Sequence, residues 1–226
     1  MISLEAEQGI LKTGGVGFCL SYVCDVPPEE VLKRYGADPT AAQQTDHIGA
    51  DHLAPQGSKG TPLRFGQLGT WSFCYESPGV NGAMPWTLAA LSQNTEVLGY
   101  HYGARGLTVV ERWLDGQPVE QFEPGNERTL RARGAPLLWQ ALRHLQSQAG
   151  TDTPPEANEA MALRTVHDRV GAAVTDELLS QPLLSVWYHQ PPRTDHPRDV
   201  EYPPLVIPPA SRGLGRYLGS LPASDV

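Results

Sequence analysis

An α+β fold, in which an antiparallel meander sheet carries helices on one face and a Pro-rich C-terminal arm follows, is predicted by three features of this 226-residue sequence. Two stretches, 16–23 and 71–76, alternate large apolar residues with small or polar ones, the period of a strand. The extended segments between 96 and 124 follow one another too closely for parallel crossovers, so they pair antiparallel. The second half then changes to helical spacing, which places helices against a sheet formed earlier in the chain.

In "VGFCLSYV" (16–23), Val16, Phe18, Leu20 and Tyr22 alternate with Gly17, Cys19 and Ser21. The next segment, "DVPPEEVLKRYG", has Asp25 as candidate N-cap, acids in its first turn, Lys33 and Arg34 in its last and Gly36 beyond, an arrangement that suits the helix dipole. From Ala37 to about Gly60 no period is sustained and turn residues abound, so a long exposed connection is expected. In "TWSFCYE", Trp71, Phe73 and Tyr75 share one strand face, with Ser72, Cys74 and Glu76 on the other; "ESPGVNG" is a turn and "PWTLAALSQN" a short helix. The segments "EVLGYHYG", "LTVVERWLDG" and "PVEQFEP" continue the meander, with Asp115-Gly116 as a hairpin dipeptide.

Leu137, Leu138, Ala141, Leu142 and Leu145 mark an amphipathic helix that starts after Pro136 and ends at Gly150. Thr153 and Glu156 stand in capping-box spacing before a second helix, and "TDELLSQ" supplies a third. The predicted organisation is a single domain over 1–190, strand-rich over 14–124 and helical over 135–190, followed by a Pro-rich extended tail over 191–226. Eight prolines in those last 36 residues forbid regular helix and most ladder hydrogen bonds. Within the tail, "YPPLVIPP" has polyproline character and is expected to pack on its own domain or on a partner.

The formal charge is −8, and the tail's four arginines balance its four acids, so the charge belongs to the body. An acidic body argues against nucleic acid and anionic membrane as partners. The absence of a basic, apolar leader and of a long apolar run, together with three cysteines that suit reduced thiols, leads to an expected cytoplasmic location.

"QTDHIGADHL" (44–53) offers Asp46, His47, Asp51 and His52, all competent metal ligands. Gly49 and the surrounding composition favour a solvated loop there, and no recognised metal signature is present. His101 lies mid-strand, where Glu76 or Glu111 on neighbouring strands would form an acid/base pair with it. Cys19, Cys24 and Cys74 sit in apolar contexts that raise a thiol pKa, and no nucleotide-binding glycine motif occurs, so no cofactor is implied. Among the aromatic residues, Trp71, Tyr75, Tyr100, Tyr102 and Trp113 are candidates for a docking face, with core as their default role.

The ordered set "GFCLSYV", "PPEEVLKRYGAD", "WSFCYESPGVNG", "LAALSQNTEV", "ERWLDGQPVEQFEP" and "ALRTVHDRVGAAVTDELLSQPLLSV" resembles an uncharacterised actinobacterial domain-of-unknown-function family over most of residues 16–186. The resemblance implies a strand-rich domain followed by helices, with no established activity and no catalytic residue to carry over. It implies structural roles for Trp71, Glu76 and Asp115-Gly116. The stretch around His47 and His52 and the tail after Pro191 look like additions to that pattern.

These readings converge on a non-catalytic protein-binding or regulatory module, with an immunity-like role as one version. Its expected partner is another protein, a basic one suiting the acidic body, or a second copy of the chain. The alternatives are a small hydrolase, either metal-assisted or acid/base, and a small-molecule-binding protein.

Overall fold

The computed structural model describes residues 3–15, 17–103, 107–149, 155–189 and 200–206. In chain order the elements are α1 (Glu5–Thr13), β1 (Gly17–Cys24), α2 (Pro28–Tyr35), β2 (Gln43–Thr45), α3 (His47–His52), β3 (Thr61–Leu68), β4 (Trp71–Glu76) and α4 (Pro85–Leu91). They continue with β5 (Glu96–Gly103), β6 (Thr108–Leu114), β7 (Gln117–Glu123), β8 (Asn126–Ala132), α5 (Leu137–Ala149), α6 (Pro155–Val170), α7 (Asp176–Ser180) and β9 (Leu183–Tyr188). The strands form one antiparallel sheet in the order β2-β9-β3-β4-β1-β5-β6-β7-β8, so the α+β class and the meander follow expectation.

β1 is the central strand and is buried along almost its whole length, because both faces of the sheet are covered. On one face Phe18, Leu20 and Tyr22 join Phe73, Leu98 and Tyr100 beneath Ile10 of α1, Leu138, Trp139 and Leu142 of α5, and Met161 and Val166 of α6. On the other, Val23, Cys74, Val97 and Trp113 pack against Val31, Leu32 and Tyr35 of α2 and Leu88 and Leu91 of α4. Helical cover of one face is therefore only part of the arrangement. The small residues that alternate with the large ones in β1 give residues 81–83 and the Tyr35 phenol room to approach, not a face to water: a Cβ on Gly82 would fall 2.8 Å from that of Cys19.

Local chemistry explains most boundaries. Gly36 ends α2 in the left-handed conformation (φ 86°), which costs glycine no Cβ strain. The expected Asp25 cap is not used: Asp25 turns the chain out of β1 at φ 52° and bonds to Thr70, and Pro27 occupies the cap position. Asp115 (φ 50°) and Gly116 (φ 75°) both take the positive φ that a type I′ hairpin between β6 and β7 requires. The N-terminus of α5 docks on Glu120 of β7, which accepts from the amides of Leu138 (3.1 Å) and Trp139 (2.7 Å).

Three expectations are corrected, and a fourth lies on residues that are not described. Residues 37–60 are not all connection, since β2 and α3 form within them; the Asp46 carboxylate accepts from the Gly49 amide at 2.8 Å and caps the helix that composition argued against. β3 and β8 add strands that the alternation pattern did not mark, and α1 precedes the first predicted strand. The helical half is not wholly helical, because β9 returns to the sheet and inserts between β2 and β3. The Thr153 capping box lies outside the described residues.

Residues 200–206 run along the outer edge of β8. Leu205 bridges Arg131, Val206 donates to the Leu130 carbonyl at 2.8 Å, and Ala132 donates to that of Pro204 at 3.3 Å. Tyr202 sets its ring edge-on to Trp113 at 6.2 Å, so this stretch of the arm packs on its own domain.

Candidate functional site

Where α3 and α7 lean over the ends of β3 and β4, a cleft of about 360 Å³ opens. Its floor is the cross-strand pair Arg64 and Tyr75; His47 and Asp51, one turn apart on α3, line it together with Asp176 and Leu179 of α7. Arg64 is only 3% exposed, which is rare for a charged side chain without a charged partner. Its guanidinium donates to the carbonyls of Leu179, Gln181 (2.9 Å) and Thr45 (3.3 Å), while Nε has no partner. Among the described residues no carboxylate lies within ion-pair distance of it. Burial holds its pKa below the usual arginine value, with Asp46, Tyr75 and Asp51 acting in opposition. The three carbonyls satisfy donors and fix the side chain, and Asp46 and Asp51 favour its charge from a distance, but no carboxylate pairs with it directly.

The four metal-ligand candidates do not converge. Asp46 is spent as the cap of α3, His47 and Asp51 face the cleft, and His52 is exposed. Among the described residues no group of three or more His, Cys, Asp or Glu side chains is placed to hold a metal.

The proposed pairing of His101 with a glutamate is also absent, and the register explains why. Cys19 of β1 stands opposite Glu76 on one side and opposite His101 on the other, so a whole strand separates the two, roughly 10 Å at normal strand spacing. Glu111 sits opposite Gly99, diagonal to His101, and accepts instead from Gln121 at 3.1 Å. His101 Nδ1 meets the Cys19 thiol at 3.3 Å. That contact does not make a nucleophile. Burial, reinforced by Glu76, pushes the Cys19 thiol well above its ordinary value, the reverse of what a reactive thiolate needs.

Glu76 has a structural task that the sequence assigned only as a strand end. Its Oε1 accepts from the Asn81 amide (3.2 Å) and side chain (2.6 Å), and its Oε2 from the Gly82 amide (2.8 Å) and the Tyr35 phenol (2.7 Å). The "SPGVNG" loop wraps the carboxylate so closely that a Cβ on Gly79 would fall 1.9 Å from Oε1. Of the docking aromatics, Trp71, Tyr100 and Trp113 are buried in the two cores, and Tyr75 and Tyr102 are partly exposed.

Two features escaped sequence reasoning. Arg64 lies in a strand that alternation did not mark, and its burial without a direct ion pair is visible only in three dimensions. Glu7 and His167 form a buried pair, Oε1 to Nδ1 2.8 Å, between residues 160 positions apart, and line a smaller pocket of about 260 Å³. No local signal joins them.

Among the described residues no helix is long and apolar enough to cross a membrane. No match was found among the curated proteins, and none among solved structures. A family model matches residues 7–182, a span that includes every residue lining the cleft and stops short of the Pro-rich arm. The chain belongs to that family, a family of unknown function, DUF6461.

Proposed function

We propose that this protein is a non-catalytic binding module that takes a small ligand in the Arg64 cleft. The observation that carries this reading is a fixed, buried guanidinium with no carboxylate partner at the wall of a cleft large enough for a small organic molecule. A buried charge without a direct ion pair is costly, and a site that keeps one gains when an oppositely charged ligand arrives.

A protein partner draws less support. Three of the five aromatics proposed for a docking face are buried, and the outer edges of the sheet offer little to an added strand: β2 has three residues and β8 is flanked by residues 200–206. Acid/base catalysis draws less still, since His101 meets a thiol and not a carboxylate.

Ligand-observed NMR against a library of small metabolites tests the reading, with Ser180→Trp as the control. Ser180 is an exposed residue of the cleft wall, so tryptophan there takes up cleft space while Arg64 itself is retained. Ligands that bind the native chain and are lost in S180W support the cleft. A library without hits, or hits that S180W leaves unchanged, overturns it.

A further inference from the structure

We infer that the ligand of the Arg64 cleft is a small zwitterion, a free amino acid with an apolar or aromatic side chain, an inference that rests on the cleft being a binding site. Both signs of charge line the same space. Arg64 presents a positive charge with no directly paired carboxylate on the strand side, while Asp51 of α3 and Asp176 of α7 present carboxylates on the helix side. Asp176 uses one oxygen, Oδ1, to accept from Thr13 at 2.5 Å; its Oδ2 and both oxygens of Asp51 have no hydrogen-bond donor among the described residues.

A simple anion such as phosphate would meet Arg64 and at the same time two aspartates, so the field that attracts it also repels it. A simple amine would be drawn to the aspartates but leave the buried guanidinium unmatched. A molecule with a carboxylate at one end and an ammonium a few ångströms away answers both. Arg64 attracts the first, and the free aspartate oxygens accept from the second. Pro62, Tyr75 and Leu179 give the wall an apolar part beside the uncharged hydroxyls of Thr13, Ser77 and Ser180, which favours a hydrocarbon or aromatic side chain over a third charge.

Isothermal titration with the twenty standard amino acids, each hit repeated as its deaminated acid and its decarboxylated amine, tests the class. For phenylalanine these probes are 3-phenylpropanoate and 2-phenylethylamine. The expected result is that at least one amino acid binds and that losing either charge weakens binding at least about tenfold. Asp51→Asn should weaken the amino acid and leave the deaminated acid unchanged or improved. Arg64→Met should abolish binding of the amino acid, and because that variant removes a buried anchor, the Asp51 result keeps the test decisive if it does not fold. Equal binding of acid and amino acid, or competition by inorganic phosphate, overturns the zwitterion and leaves the cleft standing. So does a cleft that takes library compounds, blocked by S180W, but none of the twenty amino acids. Absence of any cleft ligand overturns both.

Discussion

The Tyr35 phenol of α2 donates to Glu76 Oε2 of β4 at 2.7 Å, and this bond ties a helix to the centre of the sheet through a carboxylate that also holds the following loop. All four contacts on Glu76 are donors, from Tyr35, Asn81 twice and Gly82, so the position requires a group that only accepts. Glu76→Ala leaves those buried donors without a partner and is expected to cost about 3 kcal/mol or more. Glu76→Gln should cost nearly as much, because either orientation of the amide turns its N–H groups against two donors. Urea unfolding checks both; a near-neutral Glu76→Gln would mean that the network contributes little.

Glu7 and His167 are 1% and 3% exposed, and each keeps one polar atom, Oε2 and Nε2, without a partner. Breaking such a buried pair from one side strands the other member, so Glu7→Ala should destabilise the fold by about 3 kcal/mol. Replacing both, with Glu7→Leu and His167→Leu, should cost less than Glu7→Ala alone. Although burial opposes it, the hydrogen bond and charge of His167 hold the Glu7 carboxyl below its usual pKa. Its contribution is therefore present above the ordinary carboxylate range and is lost as pH falls through the lowered value. A double-mutant cycle read by denaturant midpoints, repeated at acidic pH, measures the coupling.

How much of this was legible in the sequence depends on the range of the physics involved. Alternation in 71–76 assigns both faces of β4 correctly, and Asp115-Gly116 fixes a hairpin, because these signals act over a few residues. The sequence also placed His101 in the middle of a strand. It did not show that β1 would lie between β4 and β5, and that single fact of strand order removes Glu76 from reach of His101. α3 was hidden for a related reason: Gly49 weakens a helix on propensity, and the bond from Gly49 to Asp46 that offsets it exists only once the turn has formed. Arg64 and Glu7–His167 are long-range arrangements, drawing on carbonyls 115 and 117 residues away in the first case and on a partner 160 away in the second. His47 and Asp51, offered by the sequence as candidate metal ligands, line a cleft with Arg64, and among the described residues no group of three or more such ligands is placed around them.

Glu111 gives the fold a pH dependence of the opposite sign to that of Glu7. Burial raises its pKa to about 8, against weaker opposition from Trp113 and Gln121. A carboxyl that holds its proton more tightly in the folded chain stabilises fully below the unfolded pKa, and that stability is lost as pH rises towards 8. The loss across that window is about 5 kcal/mol at most by linkage. Glu111→Gln keeps the shape without the titrating proton, so it should flatten stability between the ordinary carboxylate pKa and about 8. Chemical denaturation across that range checks it, and parallel curves for the two proteins would sink the assignment.

Tyr202 closes the opposite end of the molecule. Its ring stands edge-on to the fully buried Trp113, and the backbone around it serves the last strand: Arg131 donates to the Pro203 carbonyl at 3.2 Å, Arg133 to that of Glu201 at 2.9 Å, and the Ala132 amide to that of Pro204. The prolines suit this position, because a segment docking on an edge needs few donors of its own and loses little entropy on ordering. Tyr202→Ala should therefore cost about 1–2 kcal/mol through the lost aromatic contact. The specific signature is in hydrogen exchange. The Ala132 amide, whose acceptor belongs to the arm, should lose protection, whereas the Arg133 amide, whose acceptor is Val119 within the sheet, should keep it. Equal loss at both positions would mean general destabilisation of β8, and unchanged protection at Ala132 would mean that the arm does not hold this edge in solution.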